Sequence, residues 1–173
     1  MVICVKSHYI WYVKGKHMSF KQLLGEYEVR LDGKGRFRMP SGLLTQLGEW
    51  QRGNFVINRG FEKCLVLYPE PVWNEITSEI NELNLYNKKN RDFARYFFRG
   101  ASEVTLDSAD RILLPKRLAE YASINKDMIL TAYSGRIEMW SSAEYDKWME
   151  EEPVDFSDLA DEVLGGNKDK DVE

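Results

Sequence analysis

Four cations crowd one alternating stretch of this chain, Arg30-Leu31-Asp32-Gly33-Lys34-Gly35-Arg36-Phe37-Arg38-Met39-Pro40, with a single acid among them. Alternate residues of an extended chain share a face, so Arg30, Lys34, Arg36 and Arg38 fall opposite Val29, Leu31, Phe37 and Met39. A ribbon or loop of this size and charge can approach a DNA groove and its phosphates. The competing reading is local. Asp32 and Arg36 would then clamp their own turn by an ion pair, because an Asp at a turn readily accepts hydrogen bonds from neighbouring backbone NH groups. The local reading is the stronger one for the aspartate, and it leaves most of the cations unexplained.

A second copy of the stretch separates the two readings. Thr105-Leu106-Asp107-Ser108-Ala109-Asp110-Arg111-Ile112-Leu113-Leu114-Pro115 repeats the Leu-Asp-x-x-x-Arg pattern and the closing Pro, and Glu103-Val104 repeats Glu28-Val29. Such a long period indicates an internal duplication. Asp107 and Arg111 retain the clamp, but Thr105, Ala109 and Leu113 replace Arg30, Lys34 and Arg38. The turn does not need the charge cluster.

Enzymatic chemistry is poorly supplied. His8 and His17 both precede the repeated region, which leaves the body without a histidine for acid-base or nucleophile-activating work. Gly33-Lys34-Gly35 is far short of a phosphate loop, and Glu150 to Glu152 read as solvated surface. A catalytic Asp32 or Asp107 is the minor reading of a turn residue. Cys4 and Cys64 make neither a disulfide framework nor a metal-ligand set. The expectation is a non-enzyme with no metal, no cofactor and no small-molecule substrate.

The elements that must position the cations follow from periodicity. Tyr27 to Leu31 alternates as a half-buried strand, Gly33 and Gly35 permit positive φ in a turn, and the strand resumes at Phe37 and Met39. Ser41 to Leu47 has leucines at helical spacing, with Pro40 at its start and Gly48 to stop it. Asn54 to Arg59 and Cys64 to Tyr68 read as strands around Gly60, matched by Asp127 to Leu130 and Arg136 to Trp140 around Ser134-Gly135. Aligning Leu65 to Tyr68 on Ile137 to Trp140 shifts the offset from 75 to 72, so the second copy is about three residues shorter inside. Trp73 to Leu85 and Asn90 to Phe98 read as helices between the copies. Arg91, Arg95 and Arg99 form a basic stripe on the second of these, better explained as a solvated face than as a phosphate track.

With 173 residues the two copies are expected to share one core, and no apolar run approaches the ~20 residues of a membrane helix. Residues 1–17 match nothing in the second half, lack a small-residue cleavage site and are read as a flexible leader rather than a signal peptide. The net charge of -4 hides an asymmetry: residues 150–173 hold ten acids and two lysines, while the rest holds 22 basic and 18 acidic groups, or +4. That tail is expected to be largely disordered, with a helix over Ser157 to Leu164. The domain reading is a leader at 1–17, one domain at 18–149 made of repeats at about 24–99 and 100–149, and a tail at 150–173.

The paired Leu-Asp-x-x-x-Arg turns, the entry Leu24-Gly25-Glu26-Tyr27 and the run Asn90-Arg91-Asp92-Phe93-Ala94-Arg95-Tyr96-Phe97 closely resemble the MraZ family of bacterial transcriptional regulators, from about Met18 to Met149. The resemblance implies an α+β fold, a pseudo-twofold swapped-hairpin β-barrel of the AbrB type built from two intrachain repeats with flanking helices. It also implies ring-like homo-oligomers, association with the nucleoid, and binding to short direct repeats of double-stranded DNA in the promoter of the cell-division and cell-wall gene cluster; the cysteine usage separately fits a reducing, cytoplasmic setting. Carried onto this sequence, DNA contact falls to Lys34, Arg36, Arg38, Arg30 and Arg111, and turn shaping to Asp32, Gly33, Gly35 and Asp107. Asp110 stands where the family has a Gly before the motif Arg, which adds an acid at the second turn, although Asp tolerates the left-handed backbone. The alternative is an antitoxin-like barrel whose main partner is another protein.

Overall fold

A computed structural model describes residues 22–150 and 156–165. Eight strands and six α-helices follow the duplicated order: β1 (Gly25–Arg30), β2 (Arg36–Arg38), α1 (Ser41–Leu47), β3 (Phe55–Arg59), β4 (Leu65–Pro69), α2 (Glu70–Asn81), α3 (Lys88–Phe97), β5 (Ser102–Val104), β6 (Arg111–Leu113), α4 (Lys116–Tyr121), β7 (Asp127–Tyr133), β8 (Arg136–Ser141), α5 (Ser142–Glu150) and α6 (Phe156–Gly165). A 3-10 turn over Gly48–Arg52 extends α1, where Gly48 takes φ of 56° and ends the helix. The helix expected to open at Glu70 to Trp73 and run to Leu85 begins at Glu70, with Pro71 in its first turn, and stops at Asn81. Beyond it, Asn84 and Asn87 turn their side chains onto the NH groups of Tyr86 and Lys89, which draws the backbone out of helix.

The strands are shared between the copies. All pairings are antiparallel, in a six-stranded sheet of order β1-β7-β8-β4-β3-β5 and a separate two-stranded ribbon of β2 and β6. The first strand of each copy therefore lies on the third strand of the other: β1 on β7, and β5 on β3. Phe37 faces Ile112 and Val66 faces Glu138, its counterpart at the offset of 72. Residues that face their own counterparts mark a pseudo-twofold axis through the ribbon and the middle of the sheet. The Ser134-Gly135 turn, with φ of 47° and 76°, has the two-residue geometry that matches strand twist and lets β7 run on to Tyr133.

One expectation is corrected. The backbone ladder does not close into a barrel among the described residues, since it ends at β1 on one side and β5 on the other. The physical reason lies at the motif turns, which lift the chain off the sheet after β1 and β5 so that β2 and β6 pair only with each other. Closure is by side chains instead. Phe37 and Ile112 from the ribbon, Leu43 and Leu47 from α1 and Leu118 from α4 pack on Phe55, Leu65, Leu67, Met128, Ile137 and Met139 of the sheet. On the opposite face α2 covers Val66 and Tyr68 through Val72 and Ile76, while α5 covers Ile129 and Trp140 through Tyr145. Buried Asn58 donates Nδ2 to the Phe97 carbonyl at 2.7 Å, and Phe97 stacks on Trp73 with centroids 5.8 Å apart, which ties α3 to α2 and the sheet.

Candidate nucleic-acid interface

The two motif turns are built alike from side chain to backbone. In the first, the NH groups of Lys34 and Arg36 donate to Asp32 Oδ1 at 2.8 and 3.0 Å, and Arg36 Nε donates to Asp32 Oδ2 at 2.9 Å. In the second, the NH groups of Ala109 and Arg111 donate to Asp107 Oδ1 at 2.9 and 3.0 Å, and Arg111 Nε donates to Asp107 Oδ2 at 2.9 Å. A second guanidinium nitrogen of Arg36 and of Arg111 lies 2.8 and 2.9 Å from the same carboxylates. Backbone bonds from Asp32 N to the Arg36 carbonyl and from Asp107 N to the Arg111 carbonyl complete each turn. The left-handed position falls on Gly35 at φ 76° and on Asp110 at φ 57°, so Asp110 preserves the turn. Gly33 does not use positive φ, and of the two glycines only Gly35 is needed for its backbone freedom.

These bonds hold both carboxylates far below their ordinary 3.8, at about 2. For Asp32 the leading cause is the Arg36 backbone NH, then its side chain; for Asp107 it is the Arg111 side chain. A lowered folded-state pKa adds stability above the ordinary value and loses it as pH falls from 3.8 toward 2. Carboxyl chemical shifts of Asp32 and Asp107 are therefore expected to titrate with midpoints near 2. Arg111→Ala raises the Asp107 midpoint more than Arg36→Ala raises that of Asp32; equal midpoints near 3.8 in the unaltered chain would contradict the clamp.

The cations divide by partner. Arg36 and Arg111 are clamps, and Arg30 Nε donates to exposed Asp127 at 2.6 Å. Lys34 and Arg38 are exposed and have no ion-pair partner among the described residues. In the ribbon Arg36 faces Leu113 and Arg38 faces Arg111, on the side away from Phe37 and Ile112. The bonds from Met39 N to the Asp110 carbonyl and from Leu114 N to the Gly35 carbonyl fix the phase of the ladder. Arg38 and Arg111 thus occupy a non-hydrogen-bonded pair, the kind in which opposed side chains come closest, and like charges placed there repel. Asp107 already answers the charge of Arg111, so Arg38 is the member of the pair left without an ion-pair partner among the described residues.

Sequence reasoning missed Asp127, which only the β1–β7 register brings to Arg30. It also passed over Lys116 and Arg117, exposed cations at the start of α4, although a Lys-Arg pair after Pro115 was a visible signal. The basic stripe on α3 disperses. Arg91 Nη1 donates to the Leu85 and Tyr86 carbonyls at 2.8 Å each, and Arg95 lies 3.8 Å from Asp92. Among the described residues no three His, Cys, Asp or Glu are grouped to hold a metal ion, and no helix is long and apolar enough to cross a membrane.

The family described as "MraZ protein, putative antitoxin-like" matches the chain twice, at residues 22–96 and 97–165. The chain belongs to the MraZ family. Proteins named transcriptional regulator MraZ from Christiangramia forsetii and Flavobacterium psychrophilum are 41% and 40% identical to it over 146 and 148 residues, covering 84% and 85% of this chain and 94% of each relative. The protein of that name from Clostridium acetobutylicum is 41% identical over 142 residues, covering 81% of this chain and 95% of the relative. The second MraZ match reaches past the 149 boundary read from sequence and takes in α6.

Proposed function

We propose that this chain is a sequence-specific DNA-binding transcriptional regulator whose principal contacts are Lys34 and Arg38. The observation that carries the reading is the position of Arg38, directly across the ribbon from Arg111, where it is exposed and has no ion-pair partner among the described residues. The names of the relatives point the same way. Lys34 at the turn tip and Arg38 on the strand bind phosphates or base edges. Arg36, Arg111 and Arg30 orient the ribbon through their carboxylate partners and lend their remaining NH groups. Open space where a Gly35 side chain would stand lets a phosphate come close to the backbone. Asp110 weakens the second turn for DNA, which leaves that copy chiefly a builder of the fold.

The target is a set of short direct repeats in the promoter of the cell-division and cell-wall gene cluster, read in the nucleoid of the cytoplasm by a ring-like assembly of several copies. Identical turns on adjacent copies then meet successive repeats and gain affinity through effective concentration. The exchange of first strands between the copies is what an AbrB-type swapped hairpin implies. A gel shift with double-stranded DNA from upstream of the chain's own gene tests the reading. Retarded complexes whose footprint covers spaced repeats are expected. Absence of a shift at low salt, or regulation in cells that survives removal of Lys34 and Arg38, would instead favour the protein-interaction alternative.

A further inference from the structure

The antiparallel ribbon brings each copy's motif turn beside the helix that follows the ribbon strand of the other copy. Arg36 faces Leu113, and Leu114 N donates to the Gly35 carbonyl at 2.9 Å, so the chain leaves β6 next to the first turn and enters α4 there. Lys116 follows Leu114 by two residues, a backbone reach of at most about 8 Å. In the same way Met39 N donates to the Asp110 carbonyl at 2.8 Å, and α1 begins next to the second turn. Each end of the ribbon is therefore one copy's turn joined to the other copy's helix start.

The two ends differ in charge. Lys34, Lys116 and Arg117 stand at the first end, all exposed. None of the three has an ion-pair partner among the described residues, although Glu120 lies one turn along α4. At the offset of 75 their counterparts are Ala109, Ser41 and Gly42, so the fold needs no cation at any of these places. The packing of α4 does not use them either, since it is Leu118 that enters the core. The second end holds Arg38 across from the clamped Arg111, together with the acid Asp110. Cations supplied separately by the two copies thus gather at one end of the ribbon.

We propose that Lys116 and Arg117 hold DNA phosphates beside Lys34, so that the second copy reaches DNA through the start of α4 rather than through its own turn. The proposal rests on the DNA-binding reading above and extends it to residues outside the motif. Exposed cations of this kind neutralise phosphates without reading sequence, and they fix the register of the neighbouring element that does read it. A second consequence is polarity. A palindromic site mirrors a twofold protein, whereas charge gathered at one end of a pseudo-twofold ribbon selects one orientation on the duplex. Direct repeats require a single orientation.

The test is the salt dependence of binding of the full chain to its own upstream DNA. Lys116→Ala with Arg117→Ala is expected to weaken binding by roughly tenfold or more and to lower the salt slope by about 1.8 for each copy engaged. Its urea unfolding midpoint stays unchanged, because both side chains are exposed and outside the core. An exchange variant, Lys116→Ser with Ser41→Lys, keeps the net charge and moves one cation to the second end, where position 41 is exposed. It is expected to bind as weakly as Lys116→Ser alone. Unaltered affinity and slope in the double alanine variant overturn the proposal, as does full recovery of binding by the exchange, which would mean that only net charge counts. Weaker binding after loss of Lys34 and Arg38, with no change after loss of Lys116 and Arg117, removes the proposal and leaves the DNA-binding reading standing. An unaltered chain that gives no shift at low salt removes both.

Discussion

Phe37→Ala destabilises the chain by about 3–5 kcal/mol and Ile112→Ala by about 2–5 kcal/mol, read from urea unfolding midpoints at unchanged slope. Both side chains are fully buried, and they face each other on the pseudo-twofold axis. Their neighbours come from α1, α4 and both halves of the sheet, so a cavity there cannot be filled by the collapse of one element. The ribbon strands are three residues each, which leaves their position to these two side chains, the motif turns and a few backbone bonds. Because the two sites are in one packing cluster, the double variant should fall short of the sum of the single effects. A change below about 1 kcal/mol for Phe37→Ala would mean that the ribbon is not anchored through its axis.

Replacing Lys34 and Arg38 together by Ala lowers DNA affinity by roughly 100-fold or more for each copy engaged, taking about 1.5 kcal/mol, the low end of the range for a charge-assisted bond, for each of the two contacts. The unfolding midpoint should stay where it is or rise slightly, since Ala at 38 removes the repulsion with Arg111. Arg36→Ala cannot serve the same purpose. It removes the partner of Asp32 and alters the turn itself, so weaker binding in that variant mixes the effect of charge with that of shape.

Comparing the copies showed in advance which residues belong to the fold and which are extra. Leu31, Asp32, Arg36, Phe37 and Pro40 have counterparts that do the same work in the second copy, and the Asp32 and Asp107 turns agree bond for bond. The offset of 72 that aligned Val66 with Glu138 is the one under which the structure pairs them. Partners distant in sequence were not legible, because period-2 patterns say which face a residue takes and nothing about which strand lies beside it. For that reason Asp127 was missed beside Arg30, and the sheet was expected to close. The arginine clamps show a further limit: one Asp-x-x-x-Arg spacing fits a free cation and a bound one equally, and only the bonds to Asp32 and Asp107 decide between them.

The most direct test of the central claim is the salt dependence of binding to the chain's own upstream DNA, measured for the unaltered protein and for the Lys34→Ala, Arg38→Ala double variant. If those two side chains hold phosphates, the double variant binds more weakly, and its log affinity falls less steeply with log salt by about 1.8 for each copy engaged. Equal affinity and an equal slope in the two proteins would contradict the claim that the first turn carries the DNA contact.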